Sequence, residues 1–273
     1  MVNFLVKIFF ALSLSIIFSH NISANNLQLK GELTQGGIVV GFYENAKKVF
    51  LDKKNVAVSD RGYFFLGFSR KHKKTALLKI FDNNNNVYSQ ELHIKSRKYH
   101  TQRIDGLPKK KVQPGPKELK KIKADYKILK DALRKKAKIN IFPEKFLMPV
   151  EGRISGVYGS QRILNGIKKN PHMGLDIAAP IGTPIQSTTP GKVLLAVNDL
   201  FYTGNTIIID HGYELKSIYI HLDKIYVQEN DLVKEGQEIG TVGMTGRATG
   251  PHLHWGIYWK NTKVDPNLLL LLK

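Results

Sequence analysis

The residues of this sequence best suited to chemistry are four histidines and one aspartate: His172, Asp176, His221, His252 and His254. His172-Met-Gly-Leu-Asp176 sets an imidazole and a carboxylate four positions apart with a glycine between them. Pro171 before the motif and Pro180 after it argue against a helix, so a bend must close the spacing, and Gly174 permits one. His252-Leu-His254 is the second motif. In a strand, side chains at i and i+2 share a face, so the two imidazoles project together while Leu253 points into a core. His221 lies at the end of an alternating apolar run, Tyr219-Ile220-His221-Leu222. Imidazole nitrogen and carboxylate oxygen are the usual donors for zinc, and a catalytic site keeps three protein ligands and one open position. The remaining groups suit proton transfer and stabilisation of a tetrahedral intermediate. Spacing alone leaves open which member of the His-Leu-His pair would hold metal.

The elements that must position these residues are mostly strands. Candidates are Lys192–Val197, Thr206–Asp210, Leu215–Ile220, Glu238–Val242 and Leu253–Tyr258, separated by closely spaced glycines. Residues 27–105 give a second set of short apolar runs, broken by turn signals such as Asp60-Arg61-Gly62 and the asparagine stretch after Asp82, and are expected to form an immunoglobulin-like β-sandwich module. His72, His93 and His100 are scattered through it and are read as ordinary surface residues. Residues 106–140 read as a linker and an amphipathic helix from Lys117 to about Lys138, with Leu119, Ile122, Tyr126, Leu129 and Leu133 on one stripe.

Composition restricts the function classes. The chain has 273 residues, 42 Lys and Arg against 22 Asp and Glu, and no cysteine. A disulfide framework, a thiolate metal site, a cysteine nucleophile and a cysteine-borne lipid anchor are therefore excluded. Half of the net charge sits between Gly106 and Asn140, where 12 Lys and 1 Arg face 3 acidic residues. Such a segment suits anionic wall polymer or a negatively charged membrane surface. Nucleic acid is disfavoured, because no reading motif accompanies the charge. Residues 1–24 read as a signal peptide: Lys7, then an apolar run from Ile8 to Phe18, then Ser23 and Ala24. The expected location is the periplasm or cell envelope.

His-Met-Gly-Leu-Asp, Tyr-Ile-His-Leu and Thr-Gly-Pro-His-Leu-His-Trp occur in the order of three signatures, and over roughly residues 145–268, within an expected peptidase domain of residues 141–268, the chain resembles the lysostaphin-type (LytM) zinc metallopeptidases. The resemblance implies an antiparallel β metallopeptidase domain at the C-terminal end and hydrolysis of peptide cross-links in bacterial peptidoglycan. It implies Zn²⁺ on His172, Asp176 and His254, His252 as general base, and His221 as a transition-state stabiliser. None of the five positions is replaced. The arrangement of an N-terminal β module and a basic linker is similar to exported members, for which the implied bond is D-alanyl–diaminopimelate. The competing reading is a catalytically silent regulator or wall-binding activator on the same fold, whose mark would be loss of one or more of the five residues. Val233–Gly240 also has the valine, glycine and isoleucine spacing of carrier-domain hairpins, but no lysine sits at an exposed tip.

Overall fold

The structure, a computed structural model, describes residues 27–272, and the expected signal peptide lies outside them. The protein is mainly β. Among the described residues no helix is long and apolar enough to cross a membrane.

The N-terminal runs form two antiparallel sheets. One orders Gln28–Gly31, Ile38–Phe42 and Tyr63–Gly67, and the other orders Lys54–Val56, Ala46–Leu51, Thr75–Asp82 and Val87–His93. Thr75–Asp82 shows why: Ala76, Leu78 and Ile80 are at most 1% exposed, while Leu77 and Lys79 face outward. The asparagine turn forms as the sequence suggests, with Asp82 Oδ1 accepting from the backbone N–H groups of Asn84 and Asn86. Tyr63–Gly67 departs from alternation. Phe64, Phe65 and Leu66 are all fully buried, because this strand meets the second half of the chain on its other side. Phe65 stacks on Phe142 at 4.5 Å between ring centroids, and the backbone of Gly67 lies so close to Trp259 that a Cβ there would approach it to 2.9 Å.

The second half is built on a ten-stranded sheet whose main path runs through Leu232–Val233, Gly191–Leu200, Gly204–Asp210, Leu215–Ile225, His252–Trp259, Leu175–Ala178 and Arg153–Gly156. Every strand expected here is present. Leu253, Trp255 and Ile257 point to one face and are fully buried; they join Ile38, Phe65 and Leu78 of the N-terminal sheets in a single apolar cluster. Several strands were not anticipated, among them Leu175–Ala178, Arg153–Gly156 and Thr101–Ile104, the last of which crosses over and pairs in parallel with Gln161–Leu164.

The opposite face of the large sheet carries Leu194, Leu195, Ile208, Ile218 and Ile220, and the amphipathic helix packs on it through Leu129, Ala132 and Leu133. The helix spans Pro116–Arg134 and stops short of Lys138. Asp210 Oδ2 takes the N–H of Ala137 and draws the following segment onto the sheet. Only the C-terminal half of the expected stripe is covered, and Leu119 and Tyr126 stay 53% and 64% exposed. Asp125, on the same helix, is buried and accepts from the backbone N–H of Phe201 at 2.6 Å.

Within this sheet His211 is almost wholly buried, its Nδ1 against the Pro190 carbonyl at 2.8 Å and its Nε2 against Ser217 Oγ at 2.7 Å. A carbonyl only accepts, so Nδ1 donates and Nε2 accepts from the hydroxyl. Burial pushes this imidazole down to about 4. The unfolded chain would bind a proton there near pH 6.5, the folded chain only near 4, so the group's contribution is full above pH 6.5 and declines as pH falls toward 4. His211→Gln is expected to flatten the dependence of unfolding free energy on pH in that window by roughly 1 kcal/mol per pH unit, read from urea melts. An unchanged slope would contradict it.

Candidate metal and catalytic centre

Strand register assembles the site. Leu175–Ala178 and His252–Trp259 are antiparallel neighbours with Asp176 opposite His254 and Ala178 opposite His252. Side chains of a directly opposed pair lie on the same face, so Asp176 and His254 meet, and the small Ala178 leaves room beside His252. His172 lies just before its strand in non-helical backbone, fixed by its N–H to the Ser160 carbonyl and by Gly159 N–H to its own carbonyl. Gly174 is needed for a reason other than the expected bend. A Cβ there would lie 2.6 Å from His254 Nε2, so the glycine admits the imidazole. Gly156 does the same for Asp176, whose Oδ2 would be 2.5 Å from an added Cβ.

His221 reaches the site through a bulge. Ile220 pairs with Thr206 and Leu222 with the adjacent Asn205, which leaves His221 as the extra residue, at φ 69°. Strict alternation after Ile220 would send its ring to the opposite face; the left-handed backbone brings it beside His252, with ring centroids 4.8 Å apart.

Three donor atoms converge. His172 Nε2 is 2.8 Å from His254 Nδ1 and 2.9 Å from Asp176 Oδ1, and His254 Nδ1 is 2.7 Å from Asp176 Oδ1. His172 Nδ1 faces the Val157 carbonyl at 3.0 Å, so it carries the proton, and in the neutral ring Nε2 turns a lone pair to the centre. The Arg162 guanidinium pairs with Asp176 Oδ2, which favours the ionised carboxylate and leaves Oδ1 facing the imidazoles. Burial holds the His254 ring down at about 4, so it is neutral at pH 7. Two bare acceptors and a single shared proton cannot satisfy one another at these distances; the trio needs a positive charge at its centre. Two imidazoles and one carboxylate are a fitting donor set for Zn²⁺.

His221 and His252 flank the trio in matching states. His221 Nδ1 donates to the Thr245 carbonyl at 2.7 Å and His252 Nδ1 to the Gly250 carbonyl at 2.8 Å. In its neutral form each ring therefore presents an unprotonated Nε2. That of His252 lies 3.9 Å from Asp176 Oδ1. Burial, and then the neighbouring His252 and His254, hold His221 well below the usual imidazole value.

The five residues singled out in the sequence are thus brought together, whereas His72, His93 and His100 take no part in a metal-type cluster among the described residues. Two cavities meet at the centre. The larger, about 740 Å³, reaches His172, His221 and His254; the smaller, about 160 Å³, reaches Asp176 and His252; Arg162 and Arg247 line both. A third, about 470 Å³, runs from His254 between the sheet and the helix residues Tyr126, Leu129 and Leu133. The centre therefore lies along a groove with the basic helix as one wall. Sequence reasoning missed Arg162, a lone basic residue between Gln161 and Ile163. Arg162→Met is expected to weaken zinc binding roughly 10- to 100-fold in a chelator competition, because it removes the partner that pairs with the carboxylate and orients it. Unaltered affinity would exclude that role.

Residues 170–266 match Peptidase family M23. This segment is an M23 peptidase domain. The domain is 50% identical over 95 residues to the peptidoglycan DD-endopeptidase ShyB of Vibrio cholerae, a match covering 35% of this chain and 22% of ShyB. It is 36% identical over 118 residues to the murein hydrolase activator NlpD of Escherichia coli, covering 43% of this chain and 29% of NlpD. The chain thus spans less than a third of these curated relatives. A crystal structure of a Pseudomonas aeruginosa protein assigned to peptidase M23 is 28% identical, with a TM-score of 0.68, over 89% of this chain and 96% of that one. That likeness extends across the N-terminal sheets as well as the M23 domain.

Proposed function

We propose that this chain is an exported, zinc-dependent endopeptidase that hydrolyses peptide cross-links of bacterial peptidoglycan, with the D-alanyl–diaminopimelate amide as the bond cut. The observation that carries the reading is the convergence of His172, Asp176 and His254 beside two imidazoles with bare Nε2 atoms in one groove. His172, Asp176 and His254 would hold Zn²⁺. When bound there, the ion supplies Lewis acidity toward water and the substrate carbonyl. His252 accepts the attacking water's proton at Nε2 and returns it to the leaving amine. His221, whose ring touches that of His252, would stabilise developing negative charge with its own Nε2 protonated by a proton separate from the one His252 carries to the amine. Arg162 holds the Asp176 carboxylate by its Oδ2. The basic helix draws the groove toward anionic wall polymer or membrane surface.

The second reading, a silent activator of other wall hydrolases, is favoured by the likeness to a protein named murein hydrolase activator. The two are separated by zinc content together with digestion of purified peptidoglycan, fragments being identified by mass spectrometry. About one zinc per chain and loss of cross-linked dimers is the expected result. No zinc under metal-replete conditions and no cleavage would favour the activator.

A further inference from the structure

Arg247 is a cation in this groove that the proposed chemistry does not use. It lies on the loop between the Glu238–Val242 and His252–Trp259 strands, five residues before His252. Its guanidinium lies 4.4 Å from the Tyr202 ring centroid, and its backbone N–H is held by the Tyr202 carbonyl. The first holds the side chain and the second the backbone, and neither neutralises the charge. Among the described residues no carboxylate lies within ion-pair distance of Arg247, although it is half-buried and lines both cavities that meet at the centre. Arg162 lines the same two cavities. One of its terminal nitrogens is committed to Asp176, while its Nε is buried without a hydrogen-bond partner.

Two guanidinium groups are thus turned to the same space, one wholly and one partly unpartnered. Desolvating a cation without an anion is costly, and burial and Arg162 both lower the affinity of Arg247 for its proton. Such a pair is tolerated where an arriving anion completes it, and the planar guanidinium fork matches a carboxylate. Lys169 and Lys263 at the rim of the larger cavity add to a positive field that would attract an acidic peptide.

We propose that Arg247, beside Arg162, is a carboxylate-binding subsite that selects peptides bearing a free carboxylate on a residue flanking the scissile amide. This rests on the endopeptidase reading above and gives its substrate a required charge. An amide made to an amino-acid-type amine carries such a carboxylate on the adjacent carbon, within reach of a side chain that lines the cavity on either side of the centre.

The test compares two synthetic peptides, N-acetyl-D-alanyl-diaminopimelate with the carboxyl next to the scissile amide either free or converted to the carboxamide. The zinc-loaded full chain is expected to cleave the free acid with a kcat/KM roughly 10- to 100-fold higher, the range of a charge-assisted contact. In Arg247→Gln that ratio is expected to fall toward one, and in Arg247→Lys to lie between, with zinc content and circular dichroism unaltered in both. No preference in the wild-type protein, or a preference that survives Arg247→Gln, would overturn the subsite while leaving the endopeptidase standing. If neither peptide is cleaved, the endopeptidase reading fails, and equilibrium binding of the same two peptides decides the subsite. Carboxylate-dependent binding lost in Arg247→Gln supports it, and equal or absent binding of the two overturns it.

Discussion

His254→Ala removes bound metal and hydrolysis together. His254 Nδ1 touches both other donors, 2.8 Å from His172 Nε2 and 2.7 Å from Asp176 Oδ1, so its loss opens the trio at its middle member. A site with two ligands left falls below the three that a catalytic zinc keeps. The expected loss of affinity exceeds the roughly 100-fold seen when only a supporting hydrogen bond is removed. Zinc per chain after dialysis against a weak chelator is expected to drop from about one to near zero, with turnover at background. The substitution leaves the main apolar core intact, since His254 lies on the groove face of its strand, opposite Leu253 and Trp255. Retained metal with lost turnover would show that His254 is the proton-transfer residue.

His252→Ala gives the complementary pattern. Its Nδ1 is occupied by the Gly250 carbonyl and its Nε2 stops 3.9 Å from Asp176 Oδ1, outside the close trio. The protein is expected to keep its zinc and lose about 10²- to 10⁴-fold in kcat, the usual weight of a positioned general base, with a smaller effect on KM. His221→Ala in the same background is expected to add less than its separate effect, because the two rings touch and act in the same step. A variant that loses its metal instead would exchange the roles of His252 and His254.

These assignments differ in how far the sequence alone carried them. His252 and His254 on one face follow from a period of two, and the structure keeps that geometry. His172 and Asp176 were legible as donor types at a suggestive spacing, but the purpose of Gly174 was not. Its constraint comes from an imidazole more than seventy positions away, and nothing local reports that approach. His221 is the harder case. Alternation assigns it to the wrong face, and only the bulge at φ 69° corrects this, so the family resemblance supplied what periodicity could not. Arg162 and Arg247 escaped because a basic residue near the surface is unremarkable until its partners, or their absence, are seen. In the scaffold the short N-terminal runs were recognisable from apolar patches and turn residues. The parallel pairing of Thr101–Ile104 with Gln161–Leu164 was not, because its partner is remote and its composition is that of a connector. The helix stripe was read at full length, yet the sheet covers only its second half, since Asp125 is turned inward to hold Phe201.

The contact between Phe65 and Phe142, and that between Gly67 and Trp259, bear on how the molecule comes apart. The segment that matches the peptidase family is about a third of the chain, but its floor is the same apolar cluster that closes the N-terminal sheets. Neither half melts without exposing the other's interior, so heating should give a single cooperative calorimetric peak rather than two. By the same logic the peptidase segment is a poor candidate for excision. Released at residue 141, it would present the apolar surface around Phe142 and Trp259 that Phe65 and Gly67 now cover, and it should associate with itself before it could be assayed. Variation in this lineage is therefore expected to collect in the turns and along the open half of the helix, where side chains change without cost to the shared interior.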